Sequence, residues 1–374
     1  MSGQLLVTAG EASGDELAAA VVGRLKVPTF GLGGQRLAEE GTELVSRLTS
    51  VTTMGVAGPL ARGPALISAG LSLLRQARRR RPRAALLVGF SEFNGWLGHR
   101  LRALKIPVLW YAPPQIWAWG TRRGLRFAAA CDKVAVLLPF EQQLWHSLGK
   151  EAHFVGHPVA VEDFESKRVA RDRLGLLPDA PALVLMPGSR PVEVERHLQS
   201  MLVAARVLGQ RHGIQARLLP AHSLDETTLK RVRRRAEDAG TSCVEPKLDR
   251  LISAFDAALV KSGTGSLKCA VAGTVPIIVY RAGRLGERVR RHLVRVSHIG
   301  LPNIVLGERR FVELFGREVS AASMATAVEQ VLSEPLELST TREQLIARLL
   351  PTSSDVDPRT PPDRVAGLIE PWLA

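Results

Sequence analysis

A short turn near the middle of the chain carries residues suited to binding a phosphate group. The turn is Gly188-Ser189-Arg190, and it follows the apolar run at 182–186. Backbone N–H groups at the start of the helix expected after such a turn favour an anion. The guanidinium of Arg190 adds a planar fork of donors that suits a diphosphate. An ordinary strand-to-helix turn with a solvated arginine fits the turn equally well, so the turn alone leaves both interpretations open.

Two further turns place polar residues between a strand and a helix. Ser262, Gly263 and Thr264 follow a predicted strand at 256–260. Small residues in such a turn either cradle a phosphate or simply allow close packing. Glu11 lies in a glycine-punctuated turn after the first predicted strand. It is either a site carboxylate or a charge favoured by the dipole at the start of a helix.

The elements that position these turns alternate between strand and helix. This alternation predicts the fold class as α/β, with parallel sheets covered by helices on both faces. We predict two Rossmann-like parallel-sheet domains facing a cleft, with domains at 1–160 and 161–340 and a helical tail at 341–374 that packs back on the first domain. The predicted strands lie near 5–9, 29–32, 84–88, 107–111, 133–138, 183–186, 216–219, 242–245, 256–260 and 275–279.

The strong positive charge of the chain narrows the classes of partner. The 374 residues carry a formal net charge of +14 at pH 7. Nucleic acid, an anionic membrane surface and a phosphorylated substrate are the competing causes of such a charge. The basic residues form clusters, but no zinc-finger, RNA-recognition or helix-turn-helix signature accompanies them. We therefore expect no nucleic acid among the partners.

The sequence predicts neither a metal site nor a nicotinamide cofactor. Cys131, Cys243 and Cys269 lie far apart without metal-ligand spacing, as is typical of reduced cytosolic thiols. The glycines at 31–34 do not complete a dinucleotide fingerprint. No apolar run reaches the ~20 residues of a membrane span, and the chain enters its first predicted strand without a basic leader. We expect a cytoplasmic protein.

Short motifs along most of the chain are those of one bacterial enzyme family, and in their order the chain resembles lipid-A-disaccharide synthase. The matching motifs are Ala9-Gly10-Glu11-Ala12-Ser13-Gly14-Asp15, Gly31-Leu32-Gly33-Gly34, Met54-Gly55-Val56, Phe93-Asn94, Trp117-Ala118-Trp119, Leu138-Pro139-Phe140-Glu141, Phe154-Val155-Gly156-His157-Pro158, Pro187-Gly188-Ser189-Arg190, Ser262-Gly263-Thr264, Val279-Tyr280-Arg281 and Leu301-Pro302-Asn303.

The resemblance implies an inverting glycosyltransferase of the two-Rossmann, GT-B type. UDP-2,3-diacylglucosamine would donate its sugar to 2,3-diacylglucosamine 1-phosphate, giving the β-1,6-linked lipid A disaccharide 1-phosphate and UDP. No cofactor and no metal are implied. Because these substrates are anionic lipids, we expect a peripheral enzyme at the inner face of the cytoplasmic membrane. The resemblance leaves a homodimer open.

The resemblance also implies roles for individual residues. Arg190, with Gly188 and Ser189, would bind the donor diphosphate. Glu11 would lie beside the reacting sugars with Asn303 as its polar partner, although Asn303 also fits a plain turn residue beside a proline. The nucleotide would be lined by Ser262, Gly263 and Thr264.

The chain departs from the family pattern at several of the implied site positions. The aspartate usually assigned as the catalytic base falls on Gly89, so Glu92 or Glu11 would have to accept the proton. A glutamate expected near the ribose is replaced by Lys268, a glutamine by Gly316, and an acidic residue is lost within 56–58. Two hypotheses follow: a working synthase with a rearranged base, or a catalytically altered homologue that binds a nucleotide-sugar or lipid, or that uses another acceptor.

Overall fold

The computed structural model describes residues 3–47, 59–119, 121–281, 298–334, 338–351 and 360–374. The chain divides into unit 1, which comprises Met1–Pro158 and Leu350–Ala374, and unit 2, which comprises Val159–Leu349. The motif Met54-Gly55-Val56 and the expected acidic position within 56–58 lie outside the described residues. Among the described helices, none is both long enough and apolar enough to cross a membrane.

Unit 1 is built around a parallel sheet of seven strands, counted over its described residues, in the order β3-β2-β1-β4-β5-β6-β7. Its strands are β1 (Leu5–Ala9), β2 (Thr29–Gly33), β3 (Glu43–Arg47), β4 (Ala84–Val88), β5 (Val108–Tyr111), β6 (Lys133–Val136) and β7 (Glu151–Phe154). The helices between them are α1 (Ala12–Leu25), α2 (Gln35–Glu39), α3 (Pro59–Arg80), α4 (Ser91–Ala103), α5 (Ile116–Trp119), α6 (Thr121–Ala128) and α7 (Pro139–Ser147).

Unit 2 holds a parallel sheet of six strands, again counted over described residues, in the order β10-β9-β8-β11-β12-β13. Its strands are β8 (Ala182–Met186), β9 (Gln215–Leu218), β10 (Ser242–Cys243), β11 (Ala257–Lys261), β12 (Val275–Tyr280) and β13 (Glu313–Phe315). Its α-helices are α8 (Lys167–Leu174), α9 (Pro191–His212), α10 (Glu226–Asp238), α11 (Thr264–Ala272), α12 (Leu301–Leu306), α13 (Ala321–Ser333) and α14 (Leu338–Leu349), and short 3-10 helices lie at Pro158–Val161, Pro246–Ala254 and Gly316–Glu318.

Apolar side chains on both faces of each sheet explain why these strands form. The central strands β1, β4 and β5 are buried along their whole length, as expected for parallel strands covered by helices on both sides. Both units have the Rossmann strand order, which reverses between β1 and β4 in unit 1 and between β8 and β11 in unit 2. The prediction of an α/β protein with two Rossmann-like domains is confirmed.

The tail expected from residue 341 onward is divided between the two units. Helix α14 belongs to unit 2, whereas the last helix, α15 (Pro361–Leu373), belongs to unit 1. Val365 and Ile369 of α15 are fully buried in the same apolar cluster as Leu5 and Leu86 of the sheet. Arg24 of α1 forms an ion pair with a carboxylate in the first turn of α15. The last helix therefore completes one face of the unit 1 sheet.

A buried carboxylate orders the first turn of unit 1. Asp15 lies in the first turn of α1, and its two oxygens accept hydrogen bonds from the backbone N–H groups of Gly34 (2.6 Å) and Arg36 (2.9 Å). These N–H groups belong to the start of α2, which has no intrahelical partner for them. The first turn of α1 and the start of α2 are thereby joined, and Glu11 is the N-cap residue of α1.

A second buried carboxylate holds the aromatic loop that follows β5. Glu141 accepts a hydrogen bond from the indole N–H of Trp117 (2.9 Å) and another from the backbone N–H of Leu138 (3.1 Å). The Phe140 ring packs edge-on against Trp117, with centroids 5.5 Å apart. Burial raises the pKa of Glu141 to about 7, although the hydrogen bonds from Trp117 and Leu138 act in the opposite direction.

The raised pKa of Glu141 predicts a pH-dependent stability. The folded state holds this proton more tightly than the unfolded chain, whose ordinary glutamate pKa is 4.5. Stability should therefore fall as the pH rises from that value to about 7. In Glu141→Gln this part of the pH dependence should disappear. Unfolding temperatures measured across this range for both proteins, together with Trp fluorescence, check the prediction. The prediction would be contradicted if the unfolding temperatures of both proteins depended on pH in the same way.

Candidate active site

Two turns of unit 2 meet at the point where its strand order reverses. The turn after β8 and the turn after β11 are neighbours because the two strands pair in parallel, with Met186 opposite Val260. Gly188 in the first turn has φ +131°, and a Cβ atom there would lie 2.7 Å from the Cβ of Glu193. Ligands of open α/β sheets bind at such reversal points, so this edge is the candidate site of unit 2.

The second turn contains a residue, Gly263, in a backbone conformation that is essentially restricted to glycine. Gly263 has φ +154° and ψ −165°, a region that residues with a side chain essentially avoid. The hydroxyl of Ser262 donates to the carbonyl of Ile299 (2.6 Å), which anchors the loop before α12. Thr264, the first residue of α11, is exposed. The turn therefore presents the N-terminus of α11 beside that of α9.

Arg190 stands at the N-terminus of the 22-residue helix α9, as its N-cap residue. Its side chain is 63% exposed, and its guanidinium lies 3.8 Å from a carboxylate oxygen of Glu193. A helix N-terminus and an exposed guanidinium favour the same ligand, an anion. The structure thus brings Gly188, Ser189 and Arg190 to one edge of unit 2 together with the Ser262 turn.

A mostly buried ion pair lies beneath the two turns. The ammonium of Lys261 is 2.9 Å from Oε1 of Glu193, and both side chains are less than a fifth exposed. The other oxygen, Oε2, accepts a hydrogen bond from the backbone N–H of Ser189 (3.1 Å). Burial alone would raise the pKa of Glu193, but the charge of Lys261 and its hydrogen bonds lower it. One feature of the sequence points to this pair, since Lys261 directly precedes Ser262.

A buried histidine extends this network to the neighbouring strand. Nδ1 of His197 donates to the carbonyl of Glu193 (2.7 Å), and Nε2 accepts the backbone N–H of Arg281 (3.0 Å). This pairing requires a neutral imidazole with its proton on Nδ1. Burial lowers the pKa of His197, which favours that neutral form. The end of β12 is thereby joined to α9.

The side chain of Asn303 is buried and fully hydrogen-bonded within the protein. Its amide nitrogen donates to the carbonyl of Phe311 (2.9 Å) and to Glu313 (2.8 Å), and its oxygen accepts from the backbone N–H groups of Arg310 (3.0 Å) and Phe311 (2.9 Å). All four hydrogen-bonding positions of the amide are used, and the side chain is fully buried. The geometry supports a role in folding the loop around α12, and the expected place of Asn303 beside the reacting sugars stays a prediction.

Two replaced positions of unit 2 also have structural explanations. The ammonium of Lys268 pairs with carboxylates of Glu162 (2.7 Å) and Asp249 (2.6 Å). Burial alone would lower the pKa of Lys268, but these two carboxylates raise it, so the side chain is a charged lysine within an ionic cluster. Gly316 adopts φ +60° at the start of a 3-10 helix, a conformation that favours glycine.

In unit 1, Glu11 and Glu92 lie at the N-termini of α1 and α4, the helices that follow β1 and β4 at the reversal of the strand order. Glu11 is the exposed N-cap residue of α1, and its side chain accepts no capping hydrogen bond. Gly89 has φ +53°, and a Cβ atom built there meets nothing within 4 Å. Glu92 is the second residue of α4 and forms ion pairs with Arg123 and Arg126 of α6. The sequence shows Arg123 and Arg126 as members of a basic cluster, but nothing in it pairs them with Glu92.

The described residues contain no group of three or more His, Cys, Asp or Glu side chains that could hold a metal ion. The chemistry available in unit 2 is anion binding by helix N-termini and a guanidinium. In unit 1 it is proton acceptance by carboxylates at the carboxyl edge of the sheet.

Solved structures share this fold at low sequence identity. UDP-GlcNAc 2-epimerase from Neisseria meningitidis, bound to UDP-GlcNAc, matches with a TM-score of 0.62 and 12% identity, covering 99% of this chain and 98% of that one. The glycotransferase of kitacinnamycin matches with a TM-score of 0.59 and 14% identity over the whole of both chains. These likenesses show the fold alone.

Sequence comparisons identify the family. A family model described as lipid-A-disaccharide synthetase matches residues 5–353. Lipid-A-disaccharide synthase of Anaeromyxobacter dehalogenans (strain 2CP-1 / ATCC BAA-258) is 36% identical, covering 98% of this chain and 96% of that protein. The synthase of Myxococcus xanthus (strain DK1622) is also 36% identical, covering 88% of each. The chain belongs to the lipid-A-disaccharide synthase family of glycosyltransferases.

Proposed function

We propose that the chain transfers 2,3-diacylglucosamine from UDP-2,3-diacylglucosamine to 2,3-diacylglucosamine 1-phosphate. The products are the β-1,6-linked lipid A disaccharide 1-phosphate and UDP. The observation that carries this proposal is the meeting of two phosphate-type turns, Gly188-Ser189-Arg190 and Ser262-Gly263-Thr264, on adjacent strands of unit 2 in a chain of this family.

Unit 2 supplies the groups that would bind the donor. Arg190 would pair with the diphosphate, because its guanidinium is exposed at a helix N-terminus and matches phosphate geometry. The N-terminus of α11 would add backbone donors from the turn after Ser262. The pair between Glu193 and Lys261 would hold the first turn in place, since Ser189 donates to Glu193.

Unit 1 supplies the candidate proton acceptors. The attacking 6-hydroxyl of the acceptor must lose its proton as the new glycosidic bond forms. Glu11 and Glu92 are the predicted acceptors, and they follow adjacent strands, with Ala9 opposite Val88. The two arginines paired with Glu92 lower its pKa, although partial burial acts in the opposite direction, which makes the paired form of Glu92 a weak base.

Removing the guanidinium of Arg190 should weaken binding of UDP and of the UDP-sugar. A charge-assisted hydrogen bond contributes about 1.5–3 kcal/mol, so we expect Arg190→Ala to raise the Kd at least about tenfold. The matched control is Arg196→Ala, which removes an exposed arginine from the same helix. Isothermal titration with UDP measures both. Equal losses in the two variants would contradict the role given to Arg190.

Turnover with defined substrates tests the reaction itself. Purified protein would receive both diacylated substrates in mixed micelles, and UDP and disaccharide would be followed. We expect product, and we expect Gly89→Asp to raise kcat roughly tenfold or more, because an added carboxylate at this position supplies a base. Aspartate tolerates a positive φ, and the position has open space around it.

The control for this substitution is Gly89→Asn, which has the same shape but accepts no proton at neutral pH. An equal effect of Asp and Asn would contradict the base assignment. No product from the unaltered chain, with UDP-sugar binding intact, would favour the second hypothesis, in which the chain is a catalytically altered homologue or a transferase for another acceptor.

We also propose that unit 1 binds the inner face of the cytoplasmic membrane through α3. Ile67 is 60% exposed and Leu71 is 50% exposed, and Arg75 and Arg78 are exposed on the same helix. The spacing of these four residues places them on one helical face. An apolar stripe followed by basic residues is typical of helices that lie on anionic lipid surfaces.

Acidic substitutions in this stripe should weaken membrane association. The double variant Ile67→Glu and Leu71→Glu should lose most of its co-sedimentation with vesicles that contain phosphatidylglycerol at low salt, because it removes apolar contact and adds repulsion. The control is Leu177→Glu, since Leu177 of unit 2 is 63% exposed. The same loss in both variants, or indifference of the unaltered chain to lipid charge, would contradict this membrane face.

A further inference from the structure

Three exposed charged side chains form a cluster beside the loop that contains Gly89. Arg123 and Arg126 of α6 pair with different oxygens of the Glu92 carboxylate. Each of the three side chains is more than half exposed. Exposed ion pairs of this kind contribute little to stability, and here they leave one positive charge in excess. The cluster therefore has the charge and the access to exchange its carboxylate for another anion.

An aromatic ring holds the arginines independently of Glu92. The guanidinium carbon of Arg126 lies 5.1 Å from the ring centroid of Phe127, and that of Arg123 lies 6.0 Å from it. Phe127 is buried and meets Trp110 edge-on, while the indole N–H of Trp110 donates to the carbonyl of Gly89 (2.9 Å). Cation–π contacts hold guanidinium groups over rings, so this arginine pair, Arg123 and Arg126, keeps its place when Glu92 moves.

The cluster lies where a ligand of unit 1 is expected. Glu92 is near the carboxyl end of β4, the strand that pairs with β1 at the reversal of the strand order. Asn94 fixes this loop, because its amide donates to the carbonyl of Gly89 (2.9 Å). The arginine pair thus borders the same edge of the sheet as Glu11.

We propose that the arginine pair binds the phosphate of the acceptor sugar and that this phosphate displaces Glu92, whose carboxylate then accepts the proton of the attacking hydroxyl. The inference rests on the proposed function and deepens it. A sugar phosphate carries close to two negative charges at neutral pH, whereas Glu92 carries one. Two guanidinium forks match its oxygens better than a single ammonium would.

The connectivity of the sugar supports this coupling. In the acceptor, C1 carries the phosphate and C5 carries the hydroxymethyl group, and both carbons are bonded to the ring oxygen. A phosphate bound by Arg123 and Arg126 therefore brings the 6-hydroxyl near the displaced Glu92. The proton of this hydroxyl passes to Glu92 as O6 forms a bond to C1 of the donor, and the bond from that carbon to UDP breaks with its electron pair leaving on UDP.

The exchange also changes the basicity of Glu92. Partial burial favours the protonated carboxyl, but the pairs with Arg123 and Arg126 outweigh it and lower the pKa. When phosphate takes over the two guanidiniums, Glu92 loses the charges that stabilise its ionised form and becomes a better proton acceptor. Binding of the acceptor would thus prepare the base.

Binding of water-soluble probes in the absence of lipid tests the site without turnover. We expect glucosamine 1-phosphate to bind more tightly than glucosamine in NMR titrations of the full chain. Arg123→Ala and Arg126→Ala should each raise the Kd of glucosamine 1-phosphate about tenfold and leave the Kd of glucosamine unchanged. Glu92→Gln should tighten the binding of glucosamine 1-phosphate, since it removes the competing negative charge. The control Arg100→Ala removes an exposed arginine that lies over Trp96 of α4 and should change neither.

Enzyme kinetics and vesicle binding provide two further tests of the inference. The two arginine variants should raise KM for the phosphorylated acceptor without changing KM for the UDP-sugar, whereas Glu92→Gln should lower kcat roughly a hundredfold without raising the acceptor KM. Unchanged probe binding in the arginine variants, with reduced binding to phosphatidylglycerol vesicles, would assign the pair to lipid headgroups and overturn the inference. Absence of turnover with intact, arginine-dependent probe binding would contradict the proposed function and leave the phosphate site standing.

Discussion

The candidate site of unit 2 depends on one ion pair, which joins the end of β11 to the first turn of α9. Lys261 ends β11 and Glu193 lies in the first turn of α9, so their contact joins the turns that follow β8 and β11. Both groups are mostly buried, and an uncompensated charge in such a place is costly, so each requires the other. Because the same carboxylate accepts the N–H of Ser189, the pair also fixes the backbone beside Arg190. A diphosphate would therefore meet a turn that is ordered before binding.

The sequence was sufficient for the fold wherever strands are apolar along their length. Three strands went unpredicted, β3, β7 and β13, and each is an edge strand. An edge strand has one neighbour and partial cover, so it needs fewer apolar residues. β3 is exposed at both ends and only half-buried between them, and β13 is three residues long. A continuous apolar run in the sequence indicates a strand that is buried on both faces, and these three strands are not buried in that way.

The candidate site was predictable where its residues lie in one turn and unpredictable where they meet across the chain. Glycine, serine and arginine in sequence indicated the turn at 188–190. The pairing of Glu92 with Arg123 joins residues 31 positions apart, and no spacing rule reaches so far. Asn303 is the converse case, because a polar residue beside a proline fits both a turn residue and a site residue, and only the structure shows that its amide is fully hydrogen-bonded within the protein.

The position of the last helix means that unit 1 can be completed only after unit 2 has been synthesised. α15 buries Val365 and Ile369 in the same apolar cluster as Leu5 of β1, so unit 1 combines Met1–Pro158 with Leu350–Ala374. Unit 2, Val159–Leu349, lies wholly between them and can fold first. Domains commonly fold in order from the N-terminus as the ribosome adds about 5–20 residues per second. At that rate roughly 10–40 seconds separate the synthesis of Pro158 from that of α15, and the part of the apolar face that α15 covers beside α1 would be open to chaperones during this time.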